Sequence, residues 1–286
     1  MDRDTNTDEL HVPCIISRLI TLSADHLAFM KLKNGLWKKL TLAGVVLAAG
    51  AVAVSFVPTS YARSTQKMFI PAYFYPGSLW TQAKAGAPTV GFMVMNPASG
   101  PGTSQNSDYV TAVNSARAAG IKVIGYVHTS YGARDAATVK SEVDAFKLWY
   151  HVDGIFLDET ASDAALIPYY QDVANYIRAT SGTYVALNPG VIPAEGYMNV
   201  GDTVAVFEGT YNTYKNWVKP SWASKYPTSK FTHLIHATSG SSAMKNAIKW
   251  SKQRRAGNVY VTNDVLPNPW DILPSYWSSE LNEIKR

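Results

Sequence analysis

The run Gly154-Ile155-Phe156-Leu157-Asp158-Glu159 sets small and apolar residues directly before two adjacent acids. Its length and composition suit a strand buried on both faces, the kind a parallel sheet contains. Acids are almost never buried without partners, so a pair at the end of such a run needs a chemical reason. Outward from it, the same alternation recurs. Short apolar or β-branched runs occupy 69–75, 89–95, 122–128, 154–158, 184–188, 203–208, 231–236 and 258–263, which predicts eight strands. Between them, helical spacing is found at 108–119, 139–150, 166–178 and 242–255; Val110, Val113 and Ala116 share one face of the first. Gly120 and Gly257 stand where glycine commonly ends a helix before a strand begins.

Eight strand–helix units predict an α/β fold, a single (β/α)8 barrel of the TIM type over residues 63–286. That stretch of roughly 220 residues lies near the small end for such barrels, and no linker or low-complexity block divides it. A doubly wound open sheet is the alternative. It would call for a glycine-rich first turn, and Tyr75-Pro76-Gly77-Ser78 offers no G-x-G-x-x-G.

Upstream, Lys31, Lys33, Lys38 and Lys39 precede an uncharged apolar run over 40–57 and then Ser60-Tyr61-Ala62. A positive region, an apolar region and a small-x-small site make 30–62 a signal peptide cleaved after Ala62, or else an uncleaved membrane anchor. Either places the domain outside the cytoplasm, secreted or anchored by 40–57. Residues 1–29 differ in character from the rest, and Met30 is expected to be the true start, with 1–29 a non-native extension.

The 286 residues are 47% hydrophobic and 16% charged, too apolar for a disordered polymer and enough for one large core. The net charge of +5 is spread thinly; its densest stretch, 245–255, has the spacing of a solvated helix face. With no zinc-finger, RNP or basic-zipper pattern, a nucleic-acid partner is not expected. Cys14, the single cysteine, lies upstream of the export segment, so disulfides cannot stabilise the domain.

In a barrel of this kind the chemistry sits at the C-terminal ends of the strands. Those ends carry Tyr73 and Tyr75, Asn96, Tyr126 and His128, Asp158 and Glu159, Asn188, Glu208 and Tyr211, His236, and Asn263 with Asp264. Like Asp158, Glu208 follows an apolar run, Val-Ala-Val-Phe. Taken singly, Asp158 could cap a helix and Glu208 could serve a structural ion pair. Together at one mouth they suit glycosidic cleavage, which needs two carboxyl groups flanking the bond. Consecutive strand side chains face opposite ways, so only one of Asp158 and Glu159 can point straight into the barrel. Asp158, Glu159 and Glu208 are thus the catalytic candidates. The remaining strand-end residues, Tyr73, Tyr75, Asn96, Tyr126, His128, Asn188, Tyr211, His236, Asn263 and Asp264, are the candidates for binding substrate. Trp80, Tyr126, Tyr131, Tyr211, Tyr214, Trp217, Trp222 and Trp270 fall in or beside the loops after strands; they suit sugar stacking and equally suit core packing. His233 and His236, three apart on a strand, face opposite sides and cannot chelate one ion, so no metal or other cofactor is expected. No G-x-S-x-G or H-E-x-x-H is present.

The ordered set Ile70-Pro71-Ala72-Tyr73-Phe74-Tyr75-Pro76, Val90-Gly91-Phe92-Met93-Val94-Met95-Asn96-Pro97, Val123-Ile124-Gly125-Tyr126-Val127, Gly154 to Glu159, Leu187-Asn188-Pro189-Gly190 and Phe207-Glu208 resembles the spherulin-4 family (spherulation-specific family 4), which includes Sph3-like hydrolases of glycoside hydrolase family 135. The resemblance runs from about Phe69 onward. It implies a (β/α)8 barrel acting as an endo-α-1,4-N-acetylgalactosaminidase on galactosamine-containing exopolysaccharide. The family's adjacent Asp-Glu pair matches Asp158 and Glu159, and its later catalytic Glu matches Glu208. The mechanism expected is retaining, with Asp158 as nucleophile, Glu208 as acid/base, and Glu159 binding substrate or tuning a neighbour. The expected partner is the polysaccharide substrate, and a monomer is expected. A non-catalytic carbohydrate-binding barrel is the alternative from another class; a deacetylase would need metal ligands that the sequence does not offer.

Overall fold

The computed structural model describes residues 66–181 and 184–286; Cys14, the expected export segment and its cleavage site lie outside them. Eight parallel strands close into one barrel in sequence order: β1 (Lys67–Ala72), β2 (Val90–Met95), β3 (Lys122–His128), β4 (Gly154–Asp158), β5 (Tyr184–Leu187), β6 (Thr203–Thr210), β7 (Phe231–His236) and β8 (Asn258–Val261). Outside it run α1 (Ser78–Lys84), α2 (Ser107–Ala118), α3 (Ala136–Tyr150), α4 (Ile167–Ser181), α5 (Tyr197–Val200), α6 (Tyr211–Asn216), α7 (Gly240–Gln253) and α8 (Trp277–Lys285). The open-sheet alternative is excluded by the pairing of β1 with β8. Among the described residues no helix is long and apolar enough to cross a membrane.

Strand ends differ from the sequence reading at β1, β2, β5, β6 and β8, and those of β1 and β8 bear on the site. β1 begins at Lys67 and releases the chain after Ala72, because Tyr73 N–H donates to Trp270 O (3.1 Å) instead of to a strand. β8 stops at Val261, so Asn263 belongs to the loop that follows. Helices α1, α5, α6 and α8 have four to nine residues, too few for a clear apolar period.

Gly120 ends α2 as expected. At φ +83° it donates to Arg117 O while Ile121 N–H reaches Ala116 O, the paired bonds of a Schellman turn. Gly257 does not end α7. Arg255 takes the left-handed position there (φ 71°), with Ala256 N–H on Ser251 O and its own Nη2 on Tyr226 O at 2.6 Å. Gly257 is glycine for space: a Cβ would lie 2.5 Å from Thr228 O.

Strand alternation fills the barrel interior with an aromatic column. Tyr184 and Phe92 pack at 4.8 Å between ring centres, Phe92 and Phe69 at 5.3 Å, Phe69 and Phe156 at 5.9 Å, Phe156 and Tyr126 at 6.4 Å, and Tyr126 and Tyr73 at 5.4 Å. The contact between β1 and β4 crosses the lumen. Phe156 therefore faces inward, and by the period of two so does Asp158. On the outer face, Gly125 lets Phe146 of α3 come close, where a Cβ would sit 2.5 Å from its ring.

The seam between β1 and β8 has only two registered pairs, and α8 completes it: fully buried Glu280 accepts from Val261 N–H at 2.9 Å. Burial holds this carboxyl well above the usual range, against the bond from Val261 N–H. A folded pKa above the unfolded one means stability present at low pH and lost as pH rises toward the folded value. Glu280→Gln keeps the acceptor and removes that loss, so its melting temperature should match or exceed the wild type's at pH 8 and vary less with pH. Glu280→Ala strands a buried N–H and should cost about 2–4 kcal/mol. Thermal melts across pH check both; a wild-type pH dependence retained in Glu280→Gln would show that Glu280 is not its source.

Candidate active site

Inward-facing positions at the strand ends converge on one cavity of about 310 Å3 at the C-terminal mouth. Asp158 from β4 and Glu208 from β6 share one partner: Asn188 Nδ2 donates to Asp158 Oδ1 at 2.7 Å and to Glu208 Oε2 at 2.6 Å. The amide is locked in that sense because its Oδ1 accepts Gly190 N–H at 3.1 Å. Asp158 also accepts from the Tyr126 hydroxyl and the Glu159 N–H, and Glu208 from the Trp270 indole. Neither alternative reading of these acids holds. Asp163, not Asp158, caps the next helical turn, and no cation pairs with Glu208 among the described residues.

Burial pushes both acids up. For Glu208, burial first and the neighbouring Asp158 charge second raise the carboxyl to about 7, against the bonds from Asn188 and Trp270. Asp158 is raised by burial too, but the bonds from Glu159 N–H, Asn188 and Tyr126 favour its charged form. Two carboxyls side by side thus acquire different proton affinities, the arrangement in which one can hold a proton while the other is ionised. Tyr73, also on this cavity, stays protonated through burial and both acids' charge.

Of the other sequence candidates, Asn96 and His236 line the same cavity. Asn96 Oδ1 accepts Gly100 N–H at 3.0 Å. His236 packs edge-on to Trp270, burial lowers its proton affinity, and its Nδ1 meets no partner among the described residues. His233 faces the other way, with Nδ1 2.6 Å from Tyr214 OH. Among the described residues no three His, Cys, Asp or Glu gather as metal ligands.

Several candidates stand apart from the acids. Glu159 does not line the cavity; at φ 49° it turns the chain out of β4, its carbonyl accepting Tyr131 N–H and the Thr129 hydroxyl. His128 lies against Arg134, 3.3 Å from Nδ1. Tyr211 starts α6 and stacks on Trp250 at 5.7 Å, Asn263 accepts Ser275 N–H, and Asp264 accepts Val265 N–H. Tyr75 is 57% exposed and bonded to Asp108. Trp80, Tyr214, Trp217 and Trp222 are packing residues, set against Phe74 O, His233, Phe207 and Phe231. Nothing in the sequence marks Trp270, inside a long loop after β8, as the partner of Glu208.

Among the described residues, five of the seven non-glycine residues with positive φ lie just past strand ends at this mouth: Ser99, Ser130, Tyr131, Glu159 and Ala237. Each costs on the order of 1–3 kcal/mol and persists only where its surroundings fix it, a pattern typical of sites. A larger cavity of about 770 Å3 opens at the opposite end, where the pairs Arg117–Asp153 and Arg178–Asp202 tie helices to strand starts. Size does not make it the site: its two carboxylates, Asp153 and Asp202, are each tied to an arginine, and that end of a barrel serves stability.

Comparison with known proteins agrees with this architecture. The family model described as spherulation-specific family 4 matches residues 67–284. Spherulin-4 of Physarum polycephalum is 38% identical over 235 residues, 76% of this chain and 70% of that protein. Sph3 of Aspergillus clavatus, solved in complex with GalNAc, superposes with a TM-score of 0.67 at 24% identity, over 78% of this chain and 98% of that one. A maltogenic α-amylase of Thermotoga neapolitana shares the fold at 10% identity and a TM-score of 0.50, over 78% of this chain and 76% of its own.

Proposed function

The chain belongs to spherulation-specific family 4, and from that premise we propose that it is a glycoside hydrolase that cuts a galactosamine-containing exopolysaccharide outside the cell, as an endo-α-1,4-N-acetylgalactosaminidase. The observation that carries this reading is the joining of Asp158 and Glu208 through one amide nitrogen. Oxygens 2.7 and 2.6 Å from the same atom are no more than about 5.3 Å apart. Retaining glycosidases hold their acids at roughly 5–5.5 Å, whereas inverting enzymes leave roughly 6.5–9.5 Å for a water between them. A cavity of about 310 Å3 admits a sugar ring, and the structurally similar Sph3 was solved with GalNAc.

Asp158, its charged form supported by three hydrogen bonds, attacks the anomeric carbon while Glu208 passes its proton to the departing oxygen. Glu208, now a carboxylate, then takes a proton from the water that attacks the glycosyl ester, releasing sugar with its configuration kept and Asp158 free. Attack by the substrate's own acetamido group opposite an α leaving group would make a strained trans-fused ring, which favours a nucleophile from the enzyme. Glu159, at the rim, binds substrate or tunes Tyr126, whose hydroxyl its charge helps keep protonated.

Incubating the purified domain with amino-sugar polymers should yield new reducing ends from an α-1,4-galactosaminoglycan. Binding without new ends would support a non-catalytic barrel instead. The kcat/KM profile should be a bell with its alkaline limb near about 7, from Glu208, and its acid limb above the usual aspartate range, from Asp158. An alkaline limb far above that value would remove Glu208 as the acid.

Export rests on residues outside the described structure. Secreted protein should begin at or near Arg63, read by N-terminal sequencing of culture medium. A chain starting at Met30 in the membrane fraction would identify 40–57 as an anchor.

A further inference from the structure

We infer that Tyr75 and the loop between β2 and α2 form a second sugar-binding subsite, which holds a neutral pyranose of the same polymer away from the bond that is cut. This rests on the reading of the chain as acting on a polysaccharide and adds where a neighbouring residue of that chain is held.

Two exits from the barrel serve two cavities at once. After β1, Tyr73 lines the acid cavity and Tyr75 lines another of about 470 Å3. After β2, Asn96 and Ser99 line the first, while Pro97 and Ala98 line the second. The two cavities therefore draw neighbouring residues from the same two strand exits.

The second cavity has the surface that a sugar needs. A pyranose presents an apolar C–H face and a rim of hydroxyls, which match an aromatic face beside polar groups. Tyr75 is 57% exposed, yet its ring does not swing freely. Its hydroxyl donates to Asp108 Oδ2 at 2.7 Å and accepts from Asn106 Nδ2 at 3.2 Å, and its ring meets Tyr109 edge-on at 5.5 Å. An exposed aromatic held at both ends presents a face that loses little entropy when a ligand covers it. Around it, the hydroxyls of Thr103 and Ser104 are exposed and engaged by no protein group among the described residues. No lysine or arginine lines this cavity, so an anionic ligand is disfavoured and an uncharged sugar suits it.

The loop is prearranged. Asn96 Oδ1 accepts Gly100 N–H, Tyr150 OH donates to Pro101 O at 3.2 Å and accepts Asn106 N–H at 3.3 Å, and Gln105 Nε2 donates to Trp149 O at 2.6 Å. These bonds pin it to the end of α3.

The test is Tyr75→Ala, with Tyr75→Phe as the milder change, on α-1,4-linked N-acetylgalactosamine oligomers of increasing length. Wild type and Tyr75→Ala should cleave the shortest substrate equally. On the longest, kcat/KM of Tyr75→Ala should fall about tenfold, with Tyr75→Phe between, because remote binding energy is used only by substrates that reach it. Equal rates at every length overturn the subsite, as does an equal loss at every length, which marks a structural role. Retardation of each protein in gels containing the polymer reads binding without turnover. If wild type cleaves nothing, the hydrolase reading fails alone: weaker retardation of Tyr75→Ala still supports the subsite, and equal or absent retardation overturns it.

Discussion

Glu208→Gln should abolish turnover while making the fold more stable above neutral pH. The amide keeps the shape of the side chain and can still offer an oxygen to Asn188, so the cavity survives, but it can neither give nor take the proton. Loss of an acid/base or nucleophile costs at least roughly 10²–10⁴ in rate. The stability effect has the opposite sign. Burial raises the folded pKa of Glu208 to about 7, above the unfolded value of about 4.3, so its contribution is full at low pH and lost as pH rises through 7. At pH 8 the wild type carries a buried charge that the glutamine variant lacks, a difference of up to about 4 kcal/mol. Melting curves at pH 5 and pH 8 should converge at the lower pH and separate at the higher. Asp158→Asn should likewise lose turnover, and with the neighbouring charge gone, Glu208 should titrate lower. A small residue at 158 should be rescued by azide with inverted product, and one at 208 with retained configuration. Amide variants that fold and cleave at the wild-type rate would remove both acids from the chemistry.

The barrel and its acid pair were legible because both follow from alternation, which acts locally. Eight apolar runs mark strands, and the period of two says that only one of two adjacent acids can enter the lumen; the contact of Phe156 with Phe69 across it shows that this is Asp158. The rule weakens past the last ladder bond. Tyr211 is three residues beyond Glu208, but α6 has begun and turns the ring onto Trp250. His128 sits at the very end of β3 and is drawn to Arg134. Asn263 and Asp264 lie in a loop whose backbone amides they satisfy. Trp270 shows the converse: it reaches Glu208 only because the excursion after β8 folds back over the mouth, its carbonyl meeting Tyr73 N–H. That path has no period in the sequence. Nor does composition tell this tryptophan from Trp80 or Trp222, which pack. The exchange of Gly257 for Arg255 at the end of α7 has a similar origin. The left-handed strain on Arg255 is offset by its bond to Tyr226 O, 29 residues earlier.

Asn188 should be nearly as costly to replace as the acids, although it supplies no proton. Its two amide hydrogens serve one carboxylate each, and Gly190 N–H on its oxygen prevents the flip that would turn an acceptor toward them. Both bonds favour the charged forms, so their loss raises both acids. In Asn188→Ala the acid limb, from Asp158, and the alkaline limb, from Glu208, should both move to higher pH. At pH 6 more of the nucleophile is then protonated and idle, and the carboxyls lose the atom that fixes their spacing. A loss of roughly 10²-fold in kcat/KM is expected, with part recovered at higher pH. Asn188→Asp should be worse than alanine, since a third carboxylate would stand within bonding distance of two others and turn attraction into repulsion. A residue that merely packed would lower the rate without moving the limbs. Equal limbs in wild type and Asn188→Ala would therefore show that the amide holds the acids in place without setting their proton affinities.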